Sequence, residues 1–222
     1  MLFSIQAFSQ FVISTRSGLI DYVEGSVCLD GVPLSRINNR FPEIQVGGSL
    51  HTNEGQAEVL LNPDVFLWLG PHSAIRMEQN SLSDVRVELL QGFAVIQAQQ
   101  MLPGNAIMLL HGSSQVRVSD ESLYRFDSSS SRLNVLAGSA DVTTGIEDMI
   151  IEGPRCFNLS SGQVSPLPSS KPDAFDKWVR ERRKLIAKER QSAEASLGKK
   201  HHWRSLARPF PASAPPLPRR SW

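Results

Sequence analysis

A five-residue pattern recurs along the chain and restricts what the chain can fold into. Each copy is a glycine followed at the second position by a small residue or valine and at the fourth by an aliphatic residue; the copies begin at Gly25, Gly55, Gly92, Gly112 and Gly138. Glycine permits a sharp bend, and alternate residues of a strand share one face. The pattern therefore predicts core strands that each start at a bend, with both marked positions facing inward.

The segment from Arg16 to about Pro168 continues in the same style. Short runs of alternating apolar and polar residues are broken by turn residues at intervals of roughly ten positions, and no helical period is present. Asp30-Gly31 and Asn62-Pro63-Asp64 each suit the turn of a hairpin. We predict an all-β domain over residues 16–168, built as an antiparallel β-sandwich, jelly-roll-like, or as a short β-roll, with about a dozen strands.

The run Val65–Leu69 is apolar on both of its predicted faces. Val65, Leu67 and Leu69 should point to one side of the strand, and Phe66 and Trp68 to the other. Either another element covers the two aromatic rings, or they form an exposed contact patch.

One amphipathic helix is predicted over residues 169–198. Phe175, Trp178 and Val179 recur at helical spacing, Pro172 and Asp173 suit a helix start, and Gly198 suits a helix end. We expect this helix to pack on the sheet. The sequence thus yields one candidate patch for partner binding or helix docking, formed by Phe66, Trp68, Phe175 and Trp178.

Charge is divided unevenly along the chain. Residues 1–176 carry 10 Lys/Arg and 19 Asp/Glu, whereas residues 177–222 carry 13 and 3. Residues 199–222 are basic and proline-rich and are predicted to be disordered. A basic arm of this kind could bind nucleic acid or another anionic surface. Nucleic acid is the less favoured of these partners, because Glu181 and Glu189 interrupt the cations and no aromatic stacking set accompanies them.

The N-terminus and the two cysteines are the features of the sequence that bear on the cellular compartment. Residues 1–15 are interpreted as either a truncated signal peptide or a frayed N-terminus, because Ala7-Phe8-Ser9 has the form of a cleavage site but no basic segment precedes it. No run approaches the ~18 apolar residues of a transmembrane helix. Cys28 and Cys156 could pair or remain separate buried residues, and we favour unpaired thiols.

The sequence contains no motif that requires catalysis, and we predict no catalytic, cofactor-binding or metal-binding residues. His51, His72 and His111 are isolated and lack the spacing of metal ligands. The carboxylates Glu58, Asp84, Glu88 and Asp141 alternate with apolar residues, which indicates solvent-facing sides of strands. An enzyme with a shallow carbohydrate or peptide cleft is the least favoured alternative.

Several phrases of the chain resemble the FecR-type domain of bacterial envelope proteins. They are "RSGLIDYVEGSVCLDGVPL", "AEVLLNPDVFLWLG" followed by "HSAIRM", "DVRVELLQGFAVIQA", "SLYRF" and "FDKWVRERR", which together extend from Arg16 to Arg183. The resemblance implies an all-β, extracytoplasmic domain without catalytic residues. Well-known members of the family relay the state of an outer-membrane transporter to a sigma factor, but the sigma-binding segment and transmembrane helix that this needs are not found here.

The resemblance and the residues together lead to one main hypothesis. The chain is expected to be a periplasmic or secreted binding or scaffold module that contacts an envelope protein or a cell-wall polymer through a sheet face or edge.

Overall fold

The structure, a computed structural model, describes residues 17–34, 41–145, 147–169 and 171–205. The described chain forms seventeen strands and one helix, α1, which spans Ala174–Ser205. The strands are β1 Leu19–Glu24, β2 Val27–Leu29, β3 Val32–Pro33, β4 Ser49–Thr52, β5 Gln56–Asn62, β6 Val65–Leu69, β7 Ala74–Ser81, β8 Asp84–Gln91, β9 Phe93–Ala98, β10 Ala106–His111, β11 Ser114–Val118, β12 Ser122–Asp127, β13 Arg132–Ala137, β14 Ser139–Thr143, β15 Asp148–Glu152, β16 Arg155–Asn158 and β17 Val164–Ser165.

The strands form two sheets. The eight-stranded sheet has the order β1-β5-β6-β9-β12-β13-β16-β17, and the nine-stranded sheet has the order β15-β14-β11-β10-β8-β7-β4-β2-β3. Neighbouring strands are antiparallel except for β8 and β10, which are parallel because β9 between them belongs to the other sheet. The predicted all-β sandwich with one C-terminal helix is confirmed. Apart from β3, which lies outside β2, the strands of both sheets follow chain order rather than the crossed order of a jelly roll.

A single apolar core lies between the sheets. The eight-stranded sheet contributes Val59, Leu67 and Tyr124, and the nine-stranded sheet contributes Leu50 and Val87, all of which are buried. Because side chains alternate along each strand, these residues mark the inner faces, and their neighbours in sequence mark the two outer faces.

The glycine pattern has the predicted effect on burial. Its second and fourth positions are buried in the copies that start at Gly55, Gly92, Gly112 and Gly138, while in the first copy Val27 is buried and Leu29 is half-buried. Four of these glycines stand where the chain passes from one sheet to the other, and Gly112 lies in the turn between β10 and β11. The pattern therefore marks crossing points of the sandwich as well as strand starts.

Gly92 shows why a crossing point requires glycine. Its φ is +76°, and a Cβ at this position would lie 2.7 Å from the Cα of Ser73. Both the backbone conformation and the space exclude a larger residue. The crossing between β8 and β9 therefore requires glycine at position 92.

Asp127 closes the turn between β12 and β13. Its carboxylate accepts hydrogen bonds from the backbone N–H of Ser129 at 3.0 Å and from the hydroxyls of Ser129 at 2.7 Å and Ser130 at 2.8 Å. Burial tends to raise the pKa of Asp127, but these hydrogen bonds stabilise the charged form more, so the pKa lies below its usual value.

Four expectations from the sequence need correction or lie outside the structure. The number of strands exceeds a dozen, because very short pairings such as β3 and β17 add to the longer ones. The predicted helix end at Gly198 is wrong, since α1 continues to Ser205. The prediction of disorder is wrong for residues 199–205, which belong to α1, and the predictions for residues 1–15 and 206–222 lie outside the described residues.

The described residues divide into two compact units between Phe175 and Asp176. The first unit contains the sandwich and ends in the first turn of α1, and the second contains the remainder of the helix. The packing of this remainder on the sheet stays a prediction. Within the described residues, no helix is apolar enough over sufficient length to cross a bilayer.

Candidate interaction surfaces

The outer face of the eight-stranded sheet carries a row of register partners that runs across five strands. Tyr22, Glu58, Trp68, Val95 and Arg125 lie opposite one another in turn on β1, β5, β6, β9 and β12. Three large apolar or aromatic side chains and two charged ones thus share a line perpendicular to the strands.

Glu58 and Trp68 form the centre of this row. Both residues have no exposed surface, and the indole Nε1 of Trp68 donates a hydrogen bond of 2.7 Å to Oε2 of Glu58. The expectation that Glu58 faces solvent is therefore wrong: it lies on the outer face of the sheet, but the carboxylate is buried. A buried carboxylate needs donors of this kind, because loss of hydration is costly for a charged group.

Phe66 and Phe175 occupy two separate places on the first unit. Phe66 is half-buried and stacks on Trp68, with ring centroids 5.8 Å apart and an interplanar angle of 17°. Phe175, at the first turn of α1, is 3% exposed and contacts Phe93 at a centroid distance of 5.6 Å. Trp178 is half-buried in the second unit. That Phe66, Trp68, Phe175 and Trp178 form one docking or binding patch stays a prediction.

Arg125 holds the start of α1 against the sandwich. Its guanidinium lies 5.3 Å from the ring centre of Phe93 and 5.9 Å from that of Phe175, and its Nη2 is 2.7 Å from Oδ2 of Asp173. The cation contacts two aromatic faces and one carboxylate, so Arg125 links Asp173 and Phe175, at the start of α1, to Phe93 on β9. Sequence reasoning missed Phe93 and Arg125, whose only signal was their position on the outer face of β9 and β12.

The outer face of the nine-stranded sheet carries a shallow, charged groove of about 770 Å³. Arg76 lies 2.5 Å from both Glu78 and Glu88, and Arg86 lies 3.0 Å from Asp84. Hydrogen bonding and attraction to these carboxylates raise the pKa of both arginines. Both arginines of the groove are therefore already paired with carboxylates, and the three carboxylates outnumber them.

Strand β15 forms one edge of the nine-stranded sheet. It pairs with β14 over all five residues in unbroken register, and within the described residues no backbone group bonds across its other side. Ile150, at the centre of the strand, is 68% exposed. The edge thus offers unpaired backbone groups beside an exposed apolar side chain.

The described residues contain no group of three His, Cys, Asp or Glu side chains that could hold a metal ion. Cys28 and Cys156 are free cysteines on strands of different sheets, as favoured from the sequence. Neither feature adds a further candidate site.

The described residues form an all-β sandwich followed by a long helix. No family model and no curated protein matches the chain. Two crystal structures of a protein from Parabacteroides distasonis, described as a "putative anti-sigma factor", match at 14% identity with a TM-score of 0.43, covering 54% of this chain and 58% of that chain. The chain thus spans little more than half the length of these neighbours, and a likeness of this extent carries no argument about function.

Proposed function

We propose that the protein is a non-catalytic binding module of the bacterial cell envelope, which takes an extended segment of a partner protein onto the free edge of β15. The observation that carries this proposal is the uncovered edge of β15 with Ile150 exposed at its centre. A segment added there would pair its backbone with that of β15 and extend the nine-stranded sheet.

This edge lacks most of the devices that protect a sheet against strand addition, and its charged residues, Asp148 and Glu152, stand only at its two ends. β15 has no bulge, no lysine and no proline, and it is longer than the two-residue edge strands β3 and β17. The β1 edge is partly covered, because Leu19 bridges to Glu43 and Ile44 N–H donates to Gly18 O at 2.9 Å. β15 is therefore the edge best suited to accept a partner strand.

The charges around β15 indicate the chemistry of the partner. Asp141, Glu147, Asp148 and Glu152 are exposed on or next to the edge. A strand with alternating apolar and basic residues would place its cations near these carboxylates and an apolar side chain near Ile150. A protein partner is preferred to a cell-wall polymer, since the edge presents peptide N–H and C=O groups at the spacing of another strand.

The resemblance to FecR-type domains supports the envelope location and the absence of catalysis. An antibody against the chain should detect it outside the cytoplasmic membrane when cells that express it naturally are fractionated. Purified protein should release no product from polysaccharide or peptide substrates. Recovery in the cytoplasmic fraction would refute the location, and turnover abolished by one polar substitution would refute the non-catalytic role.

The binding mode can be tested without knowledge of the partner. A display library of random peptides is selected on the full chain, and bound peptides are sequenced. We expect enrichment of peptides that alternate apolar and basic residues, and slower amide exchange in Asp148–Glu152 when such a peptide is bound.

Two matched variants identify the edge that is used. Ile150→Lys places a cation on β15, whereas Val32→Lys does so on the opposite edge strand of the same sheet, where Val32 is 66% exposed. Ile150→Lys should abolish binding of the selected peptides, and Val32→Lys should preserve it. Equal effects of the two variants, or protection of amides elsewhere, would refute strand addition at β15.

A further inference from the structure

The described part of α1 beyond the sandwich carries a face of exposed cations. Lys177, Arg180, Lys184 and Lys188 are all exposed. Because they recur at intervals of three or four residues, they lie on one side of the helix. At a rise of about 1.5 Å per residue, the face is roughly 16 Å long. We call these four residues the basic face.

Most of the charge on the basic face is uncompensated. Lys184 pairs with Glu181 at 2.7 Å, with both side chains more than half exposed. No carboxylate among the described residues pairs with Lys177, Arg180 or Lys188. The neighbouring Arg183 has a lowered pKa, first because of burial and second because of the charge on Arg180. The surface around the face is therefore positive.

We propose that the basic face docks on the surface of an anionic lipid bilayer. Three of its four cations are lysines, which act as point charges and lack the forked geometry with which arginine reads bases and phosphates in a nucleic-acid groove. A lipid surface needs only clustered positive charge to attract a helix of this kind. The face thus fits diffuse adsorption to a plane of phosphate head groups better than groove binding.

An apolar side chain at the margin of the basic face supports a lipid partner. Leu185 is 48% exposed and follows Lys184 directly in the chain. In a helix that lies on a bilayer, such a residue can enter the boundary between head groups and acyl chains. A duplex offers no equivalent environment for an exposed leucine. This docking surface is distinct from the β15 edge, so the two proposals can fail independently.

The test uses the full chain and sedimentation with vesicles. Binding is measured with vesicles of phosphatidylglycerol and phosphatidylcholine, and with phosphatidylcholine alone, at about 0.05 M and about 0.5 M salt. We expect binding only to the anionic vesicles and a marked loss at the higher salt. A labelled DNA duplex is titrated under the same conditions.

Two quadruple glutamine variants remove the same charge from different places. One variant changes the basic face, and the other changes four exposed cations of the sandwich unit. The substitutions are Lys177→Gln, Arg180→Gln, Lys184→Gln and Lys188→Gln in the first, and Arg117→Gln, Arg132→Gln, Arg155→Gln and Lys171→Gln in the second. Circular dichroism checks that each variant keeps its helix and sheet content.

The basic-face variant should lose about fivefold in vesicle affinity for each cation removed, while the sandwich variant should bind nearly as the unchanged protein does. Equal losses in both variants would overturn the proposal, since net charge rather than the face would then govern binding. Undiminished binding by the basic-face variant would overturn it as well. Binding of the duplex without binding of the vesicles would assign the face to nucleic acid instead.

Discussion

The buried pair of Glu58 and Trp68 allows a quantitative test of the outer-face arrangement. Trp68→Phe keeps an aromatic ring on β6 but removes the Nε1 donor that lies 2.7 Å from the carboxylate. A hydrogen bond to a charged group contributes about 1.5–3 kcal/mol, and the smaller ring leaves a void worth about 1 kcal/mol. We expect the free energy of unfolding to fall by about 3 kcal/mol.

A double-mutant cycle separates the hydrogen bond from the change in packing. In a Glu58→Leu background the buried Nε1 donor has already lost this acceptor, so Trp68→Phe should cost no more than the packing part of about 1 kcal/mol. The coupling energy between the two positions is then about 2 kcal/mol. Phe66→Leu in the same cycle is the matched control, because Phe66 stacks on Trp68 but is only half-buried.

The assay is equilibrium unfolding in urea, followed by circular dichroism because the substitution alters tryptophan fluorescence. The free energies of unfolding of two variants are compared only where both show the same dependence of this free energy on urea concentration. A coupling energy near zero, or a cost of Trp68→Phe no greater than that of Phe66→Leu, would show that the carboxylate of Glu58 does not depend on this donor.

Three further predictions concern the stability of the sandwich and of the start of α1. Gly92→Ala should destabilise the fold by about 2 kcal/mol or more, because a Cβ there meets packed backbone. Gly31→Ala should cost about 1 kcal/mol, because Gly31 has a φ of +78° but open space around it. Thermal unfolding of the two variants measures the difference. Asp173→Asn should lower stability by no more than about 1 kcal/mol but speed amide exchange at the start of α1, since its partner Arg125 is only 19% exposed; unchanged exchange would contradict the anchoring role. The pKa of Asp127 is lower in the folded state, so its contribution to the free energy of unfolding is complete above the unfolded-state pKa and is lost as pH falls through the folded-state pKa. Asp127→Asn should therefore weaken the fall of the free energy of unfolding at acid pH. An unchanged fall would refute this explanation.

Hairpins and inward faces could be predicted because they depend on short-range rules. Asp30 and Gly31 both have positive φ in the structure, as a two-residue turn requires, and Asp64 has a φ of 68° at the turn between β5 and β6. Ala57 and Val59 after Gly55 are fully buried. In each case the decisive information lies within a few residues of sequence.

The burial of Glu58 could not be predicted from alternation alone. Period two shows which residues share a face of a strand, but it does not show whether that face is covered. Glu58 follows the same pattern as Asp141, yet Glu58 is fully buried and Asp141 is exposed. Glu58 also accepts a hydrogen bond from Trp68 on the neighbouring strand, a contact that only the register of β5 and β6 establishes.

The predicted helix end at Gly198 is wrong for an energetic reason. A single glycine costs a helix about 1 kcal/mol relative to alanine, which good helix formers on both sides can offset. Gly198 is preceded by Ala195 and Leu197 and followed by Lys199 and Lys200, so the helix continues past it. Glycine indicates a helix end reliably only where the sequence beyond it disfavours helix.

The chain-order arrangement of both sheets affects how the sandwich can assemble. Every paired strand finds its partners nearby in the sequence, and even the widely spaced pair of Leu19 and Leu60 encloses only β2–β4. Short loops are closed at small entropic cost, so pairing can spread from strand to strand along the chain. During synthesis, the first strands can close into a two-layered unit before the last have left the ribosome, and β15 then pairs with a strand that is already in place.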